Sequence, residues 1–248
     1  MHEAVMLAEL IRDNQPCVAL TGAGVSTESG IPDFRSASGI WAQYDPYEVA
    51  SIEGFRRDPA RVWEFYGRRL GVLAEARPND GHLALAALER RGLLEAVVTQ
   101  NVDGLHQQAG SREVVEVHGS ISSASCPTCA RTESRERVAT LLPLPVCAGC
   151  GAVLKPDVVM FGELLPARTI ERASALVRSA ALLLVVGSSL EVWPVAGLPG
   201  ETLVEGGVIA ILNRDPTPYD DRASLVVQAT AGPVLAAVAG LLEEGRLT

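Results

Sequence analysis

The sequence predicts an α/β fold: a Rossmann-like parallel sheet with helices on both faces, joined to a small domain made of a helical insertion and a four-cysteine zinc module. Three observations carry that expectation. Apolar runs at 17–21, 94–99, 113–117, 181–186, 207–212 and 224–228 read as buried strands, and helical stretches at 79–91, 166–180 and 232–244 separate several of them. Gly22 and Gly24 follow the first run directly, so backbone N–H groups there can approach a diphosphate with no side chain in the way. Two Cys-x-x-Cys pairs interrupt the alternation.

In chain order, Val5, Leu7, Leu10 and Ile11 have helical spacing that ends near Asn14 and Pro16. The strand-and-helix core takes up 1–35, 79–121 and 157–248. Residues 36–78 form a helical insertion rich in aromatics and arginine, and 122–156 hold the cysteines with little core-sized apolar pattern. These two insertions make the small domain, and the cleft between the lobes is the expected ligand site.

With 248 residues, 48% of them apolar, the chain can bury one large core and a satellite. It contains no run of about 20 apolar residues. Its start, Met1 to Ala4, lacks the basic and apolar stretches of a secretory signal, so a cytoplasmic protein is expected. A net charge of −9 argues against nucleic acid held through phosphates. Neither membrane nor nucleic acid is an expected partner, and a monomer is compatible with the chain. Lys155 is the single lysine beside 20 arginines, a skew with no bearing on chemistry. Cys17, inside the first strand, reads as a small buried hydrophobe.

Cys126, Cys129, Cys147 and Cys150 follow C-x2-C-x17-C-x2-C, the spacing of a tetrahedral four-thiolate zinc site. Gly149 and Gly151 are expected to relieve crowding at the second turn. A disulfide pair or a redox dithiol is the rival, disfavoured by the doubled spacing in a reducing compartment. Four thiolates leave no open position for water, so this zinc is structural.

Residues 22–36, GAGVSTESGIPDFRS, continue past the glycines into Pro32, Asp33, Phe34 and Arg35, a poor helix but a good ligand-covering flap. Taken alone, a Gly-x-Gly after a strand is as compatible with an ordinary turn. Further on stand TQNVDGLH at 99–106, His118-Gly119 and GSSL at 187–190, in that order around the cysteine pairs. Together, from about Cys17 to Ala231, these segments resemble the sirtuins, the NAD-dependent protein-lysine deacylases, of bacterial or archaeal type.

That resemblance implies NAD as co-substrate and acyl-lysine proteins or peptides as partners. It places Gly22, Ala23, Gly24, Ser26, Glu28, Asp33, Phe34 and Arg35 at the cofactor, with Phe34 shielding the intermediate and Arg35 holding a phosphate or ordering the flap. Gln100, Asn101, Val102 and Asp103 become nicotinamide and ribose contacts; alone, an Asn-x-Asp loop reads as a turn. Asn101 orients ribose or water. Gly187, Ser188 and Ser189 close a strand where amides and hydroxyls meet phosphate or ribose. Asn213, Arg214 and Asp215 fall at the adenosine ribose, and Ala231 at adenine, although Ala229 stands where the family has glycine. His118, in the His-Gly context, is the implied general base: the acyl oxygen attacks the anomeric carbon as nicotinamide leaves, then His118 activates a ribose hydroxyl. The products are free lysine, nicotinamide and O-acyl-ADP-ribose. Phe161, Gly162 and Glu163, with Glu191 and Val192, resemble the segments that sandwich the acyl-peptide as an added strand. His82 and His106 lack such a context and read as structural.

Tyr66 and Arg69 are three apart, so a helix puts them on one face. In isolation the pair reads as part of a solvated amphipathic helix. Within the family it resembles the desuccinylase subclass, where Tyr and Arg hold the distal carboxylate of the acyl chain. Guanidinium offers that carboxylate a two-pronged grip, and Ala50 and Gly54 would leave room for a longer chain. Succinyl- and malonyl-lysine are therefore expected above acetyl-lysine. The rivals are a plain deacetylase, a mono-ADP-ribosyltransferase, a hydride-transferring dehydrogenase that lacks the expected ribose-reading acid, and a non-catalytic zinc-ribbon module.

Overall fold

The computed structural model describes residues 2–243. Helix α1 (His2–Asp13) leads into β1 (Cys17–Thr21), and helices α2 (Pro46–Val49), α3 (Ile52–Arg57) and α4 (Pro59–Glu75) form the insertion. Then come α5 (Asp80–Arg90), β2 (Ala96–Thr99), α6 (Leu105–Ala109) and β3 (Val114–Glu116). The cysteine module holds β4 (Gly119–Ser125), β5 (Thr132–Ser134), α7 (Arg135–Thr140) and β6 (Lys155–Val158). The chain closes with α8 (Ala167–Ser179), β7 (Leu182–Val186), α9 (Leu198–Val204), β8 (Val208–Leu212), β9 (Leu225–Val227) and α10 (Ala231–Glu243). The predicted helix 232–244 thus starts one residue earlier, and its last position lies outside the described residues.

Six strands form one sheet in the order β3-β2-β1-β7-β8-β9, and every pairing is parallel. Strand residues alternate between its two faces. Cys17, Ala19, Leu182 and Leu184 pack with Leu7 and Ile11 of α1, Leu85 of α5 and Leu235 of α10. Val18, Leu20, Leu183, Val185 and Ile209 pack on the other face with Leu176 and Val177 of α8 and Leu198 of α9. Burial on both faces explains why these strands read as continuous apolar runs. Cys17 is fully buried, and burial pushes its thiol up to about 12, as an inert core residue requires.

The strand order reverses between β1 and β7. Ligands of open α/β sheets bind at such a switch point, beyond the carboxyl ends of the strands. Gly22 and Gly187 end these two strands. Gly22 N–H donates to the Val186 carbonyl at 3.0 Å and Gly24 N–H to the Gly187 carbonyl at 2.8 Å. A Cβ on Gly24 would lie 2.7 Å from the Gly187 Cα, and Gly187 itself has φ +60, so the approach demands glycine at both.

The flanking helices are locally specified. Asp58 caps α4 by accepting from Arg61 N–H at 3.1 Å, with Pro59 at the first position. Asn79 caps α5, and the His82 ring closes the capping box. A second core joins the insertion to the cysteine module: Trp63, Phe65, Leu70 and Leu73 of α4 pack with Val138, Leu154 and Met160. Trp63 donates its indole N–H to the Leu154 carbonyl at 2.7 Å. The antiparallel sheet β5-β4-β6 has no counterpart in the sequence reading, because its Ser-rich strand carries no apolar alternation.

Candidate active site

A cleft of about 830 Å³ opens beyond the carboxyl ends of the central strands, between them and α4. Its floor contains Gly22, Ala23, Gly24, Gly187, Ser188 and Ser189. Residues Ala23–Ser29 form a 3-10 helix where the sequence suggested an open loop. Its period of three residues turns Ala23 and Ser26 toward the cleft and Val25 and Glu28 away. Glu28, expected among the cofactor residues, does not line the cleft: its carboxylate accepts from Gly232 N–H at 2.8 Å, at the start of α10. An anion there is favoured by the unpaired amides of the helix end.

Ser26 organises the polar core of the site. Its hydroxyl donates to Asp103 Oδ2 at 2.8 Å and accepts from Asn101 Nδ2 at 3.0 Å. His82 Nδ1 accepts from Asn79 N–H at 3.3 Å, so its proton is on Nε2, 3.4 Å from the same hydroxyl. All three hydrogen-bonding valences of the serine are taken. Asn101 also donates to the Gly22 carbonyl at 3.1 Å, and Asp103 Oδ1 accepts from Leu105 N–H at 2.9 Å. With Asn101 Nδ2 engaged, its amide oxygen is the group left for a ligand, and Asp103 keeps acceptor capacity on both oxygens. Beneath them Thr21 donates to Thr99 Oγ1 at 2.8 Å and pairs with His106 Nε2 at 2.9 Å. Burial lowers His106 to about 3, with His82 adding to the effect, and burial lowers the His82 pKa against the opposing charge of Asp103, so both rings favour the neutral form.

Gln100 bridges the two walls. Its Nε2 donates to Ser188 Oγ at 2.8 Å, and its carbonyl lies 3.1 Å from His118 Nδ1. His118 follows β3 and lines the cleft with Val102. Burial lowers its pKa; the Gln100 carbonyl opposes this and Arg35 adds to it. A neutral imidazole with one nitrogen anchored has the form of a general base.

The flap is tied at both sides. Asp33 Oδ1 accepts from Arg35 N–H at 3.1 Å and Ser36 N–H at 2.8 Å. Asp33 pairs with Arg214 at 3.5 Å and Arg35 with Glu191 at 3.2 Å. At the far end Asn213 donates to the Asp215 carbonyl at 2.7 Å, and Ala229, Thr230 and Ala231 complete the wall.

At the other end the cleft reaches Ala50, Phe65, Tyr66, Arg69 and Met160. Tyr66 is buried and Arg69 half-buried. Burial lowers the Arg69 pKa, and Tyr66 and Asp103 oppose it; the group still carries its charge. Among the described residues Arg69 has no ion-pair partner. Its Cζ lies 5.0 Å from the Phe34 ring centroid and 5.7 Å from that of Phe65. Phe161, Gly162, Glu163, Glu191 and Val192 line the mouth. Phe161 N–H donates to the Ala50 carbonyl at 2.9 Å and its carbonyl accepts from Ile52 N–H at 3.0 Å, so its own main chain is already paired. Glu163 turns inward to Lys155 at 2.9 Å and Met160 N–H at 2.9 Å. Trp41, Phe65 and Met160 line the cleft without having been singled out; the aromatic richness of 36–78 was the one signal for the first two.

The four cysteines lie apart from the cleft. Their sulfurs all fall within 4.8 Å of one another, with Cys126–Cys150 at 3.4 Å, Cys129–Cys147 at 3.5 Å and Cys129–Cys150 at 3.7 Å. Tetrahedral thiolates at zinc are about 3.8 Å apart, and a disulfide needs about 2.05 Å. The two turns repeat one geometry: Ala130 and Gly151 N–H donate to the Cys126 and Cys147 carbonyls, each at 2.9 Å. Both donors have positive φ, 59 for Ala130 and 76 for Gly151. Gly149 is not needed in the way expected, since a Cβ there meets only Arg131 at 3.4 Å. The Cys129 N–H lowers Cys126 to about 6 against the effect of burial, with help from Thr128. The cluster fits a closed, structural zinc. Among the described residues no helix is long and apolar enough to cross a membrane.

The sequence pattern described as the Sir2 family matches residues 22–194. A protein of Sulfolobus acidocaldarius named NAD-dependent protein deacetylase is 47% identical over 232 residues, covering 92% of this chain and 90% of its own. One of Pyrococcus furiosus named NAD-dependent protein deacylase is 42% identical over 234 residues, covering 92% and 94%. A solved complex of a mutant Sir2 homologue with ADP-ribose superimposes with a TM-score of 0.92 at 40% identity, covering 97% of each chain. A match of this extent, on a chain that folds the same way, makes this protein a member of the Sir2 family, the sirtuins.

Proposed function

We propose that this sirtuin is an NAD-dependent protein-lysine deacylase that acts best on short dicarboxylic acyl chains, succinyl and malonyl, and more weakly on acetyl. The deacylase reading is supported by the names of its relatives, the ADP-ribose complex of a homologue and the site geometry. The glycines at the β1/β7 switch point admit the diphosphate, with Asn213 and Ala231 toward the adenosine. Asn101 and Asp103, held by Ser26, face the nicotinamide ribose and carboxamide. His118, neutral, takes the proton of a ribose hydroxyl through Nε2 once nicotinamide has left. Phe34 excludes water from the reacting carbon. That ribose hydroxyl oxygen then bonds to the acyl carbon, the lysine amine leaves and one water adds, giving nicotinamide, free lysine and O-acyl-ADP-ribose. Zinc supplies no chemistry to this site; Cys126, Cys129, Cys147 and Cys150 would hold it to tie the module together.

One observation carries the acyl preference: Arg69 lines the cleft as a half-buried cation without a carboxylate from the described residues, beside the Tyr66 phenol. A distal carboxylate would complete it with two charge-assisted hydrogen bonds; an acetyl group leaves it unmatched. Incubation with NAD and succinyl-, malonyl- or acetyl-lysine peptides, followed by mass spectrometry, tests this. Free lysine and O-acyl-ADP-ribose, formed faster from the two dicarboxylic acyls, are expected. An ADP-ribosylated peptide or faster acetyl turnover would refute the proposal.

A further inference from the structure

Arg69 must be aimed as well as charged, because a guanidinium grips a carboxylate two-handed only when one edge of its plane faces the two oxygens. Among the described residues no ion pair aims it. Two ring faces do: Phe65, 5.7 Å from Cζ, and Phe34, closer at 5.0 Å. Phe65 precedes Arg69 by one turn of α4 and travels with it. Phe34 comes from the flap and is the contact that ties Arg69 to the cofactor side of the cleft.

The Phe34 ring is itself pinned. Ile40 N–H donates to the Asp33 carbonyl at 2.9 Å and Trp41 N–H to the Phe34 carbonyl at 3.0 Å, closing residues 33–41 into a tight turn. The rings of Phe34 and Trp41 lie 5.0 Å apart. A Cβ on Gly39 would stand 2.8 Å from Asp33 Oδ1 and from the Phe34 carbonyl carbon, so this closure needs glycine there.

We infer that Phe34 is a positioning residue for acyl selection: its pinned ring is the platform that aims Arg69 at the distal carboxylate of the substrate's acyl chain. The inference rests on the reading of Arg69 as the acyl-carboxylate partner. It gives the flap a second task beside shielding and couples flap position to the acyl group bound. Shielding serves every acyl chain alike, whereas aiming Arg69 serves only those ending in a carboxylate, so the two tasks separate in a ratio.

The experiment measures kcat/KM for succinyl- and acetyl-lysine versions of one peptide at saturating NAD, in the wild type and in Phe34→Leu, Phe34→Tyr and Arg69→Met. Phe34→Leu keeps apolar bulk but removes the ring face. It is expected to lower both rates and to lower the succinyl-to-acetyl ratio by a further factor on the order of 3 to 10. Phe34→Tyr restores a ring and is expected to restore the ratio. If Phe34→Leu turns over too slowly to measure, the ratio of Kd values for the two peptides in the presence of ADP-ribose replaces it, with the same expectation. An unchanged ratio in Phe34→Leu, with a selective loss in Arg69→Met, overturns the positioning role and leaves the carboxylate reading intact. An unselective Arg69→Met removes that reading, and the inference falls with it.

Discussion

The Gln100 carbonyl oxygen and His118 Nδ1 lie 3.1 Å apart, and a carbonyl can only accept. Nδ1 therefore carries the proton of the neutral ring, which leaves Nε2 as the acceptor. The same glutamine holds Ser188 through its side chain at 2.8 Å, so one residue anchors both the His118 ring and the β7 wall of the cleft.

A base must be unprotonated to act. Burial lowers the His118 pKa; on the proposed reading of His118 as the base, activity is expected above that value and is lost as pH falls through it. The acidic limb of the kcat/KM profile should have an apparent pKa below the ordinary 6.5 or so of histidine, and rates should be flat at neutral pH. His118→Ala should abolish deacylation while leaving NAD binding, measured by calorimetry, close to wild type. Retained turnover in that variant removes His118 from the mechanism.

Metal analysis of the purified protein should give one zinc per chain. Cys126→Ala should lose it and lower Tm, because the four thiolates hold together a module with little apolar core of its own. Cys17→Ala is the control that should keep the metal. A folded, fully active, zinc-free protein contradicts the structural role.

Acid should weaken the fold through His106. Its pKa of about 3, set first by burial and then by His82, lies well below that of an exposed histidine. The unfolded chain thus binds a proton that the folded chain refuses. The stability conferred is fully present above about pH 6.5 and is lost as pH falls toward the folded pKa, by at most about 1.4 kcal/mol per pH unit. Urea titrations from about pH 6.5 to about pH 5.5 should show this slope reduced in His106→Asn. An unchanged slope would mean that the ring is not refusing the proton.

The parts of this molecule that follow from local pattern were legible in the sequence. Cys17–Thr21 is a five-residue apolar strand stopped by Gly22, and it forms over those residues. The cysteine spacing predicted a cluster that the sulfurs form. What escaped depends on phase or on distance. Glu28 lies two residues after Ser26 in the chain, yet a 3-10 turn sends the two in different directions. Gly119–Ser125 becomes a strand because Thr132–Ser134 and Lys155–Val158 pair with it from either side within the cysteine module. Phe34 meets Arg69 through the packing of flap against α4, which no spacing along the chain announces.

The acyl preference can be tested on the two residues that carry it. If Arg69 pairs with a distal carboxylate, Arg69→Met should cost succinyl-peptide kcat/KM far more than acetyl-peptide kcat/KM. Breaking a desolvated charge pair costs on the order of 2–5 kcal/mol, so a fall of roughly 30-fold or more is expected for the succinyl peptide. Acetyl turnover should hold or rise, since methionine leaves no unmatched cation beside the short chain. Tyr66→Phe removes one hydroxyl donor and should cost succinyl turnover only about 1 kcal/mol. Parallel losses on both peptides in Arg69→Met would mean that the guanidinium supports α4 and the flap alone. The protein would then be a sirtuin without the dicarboxylic preference, because the glycine switch point and His118 do not depend on Arg69.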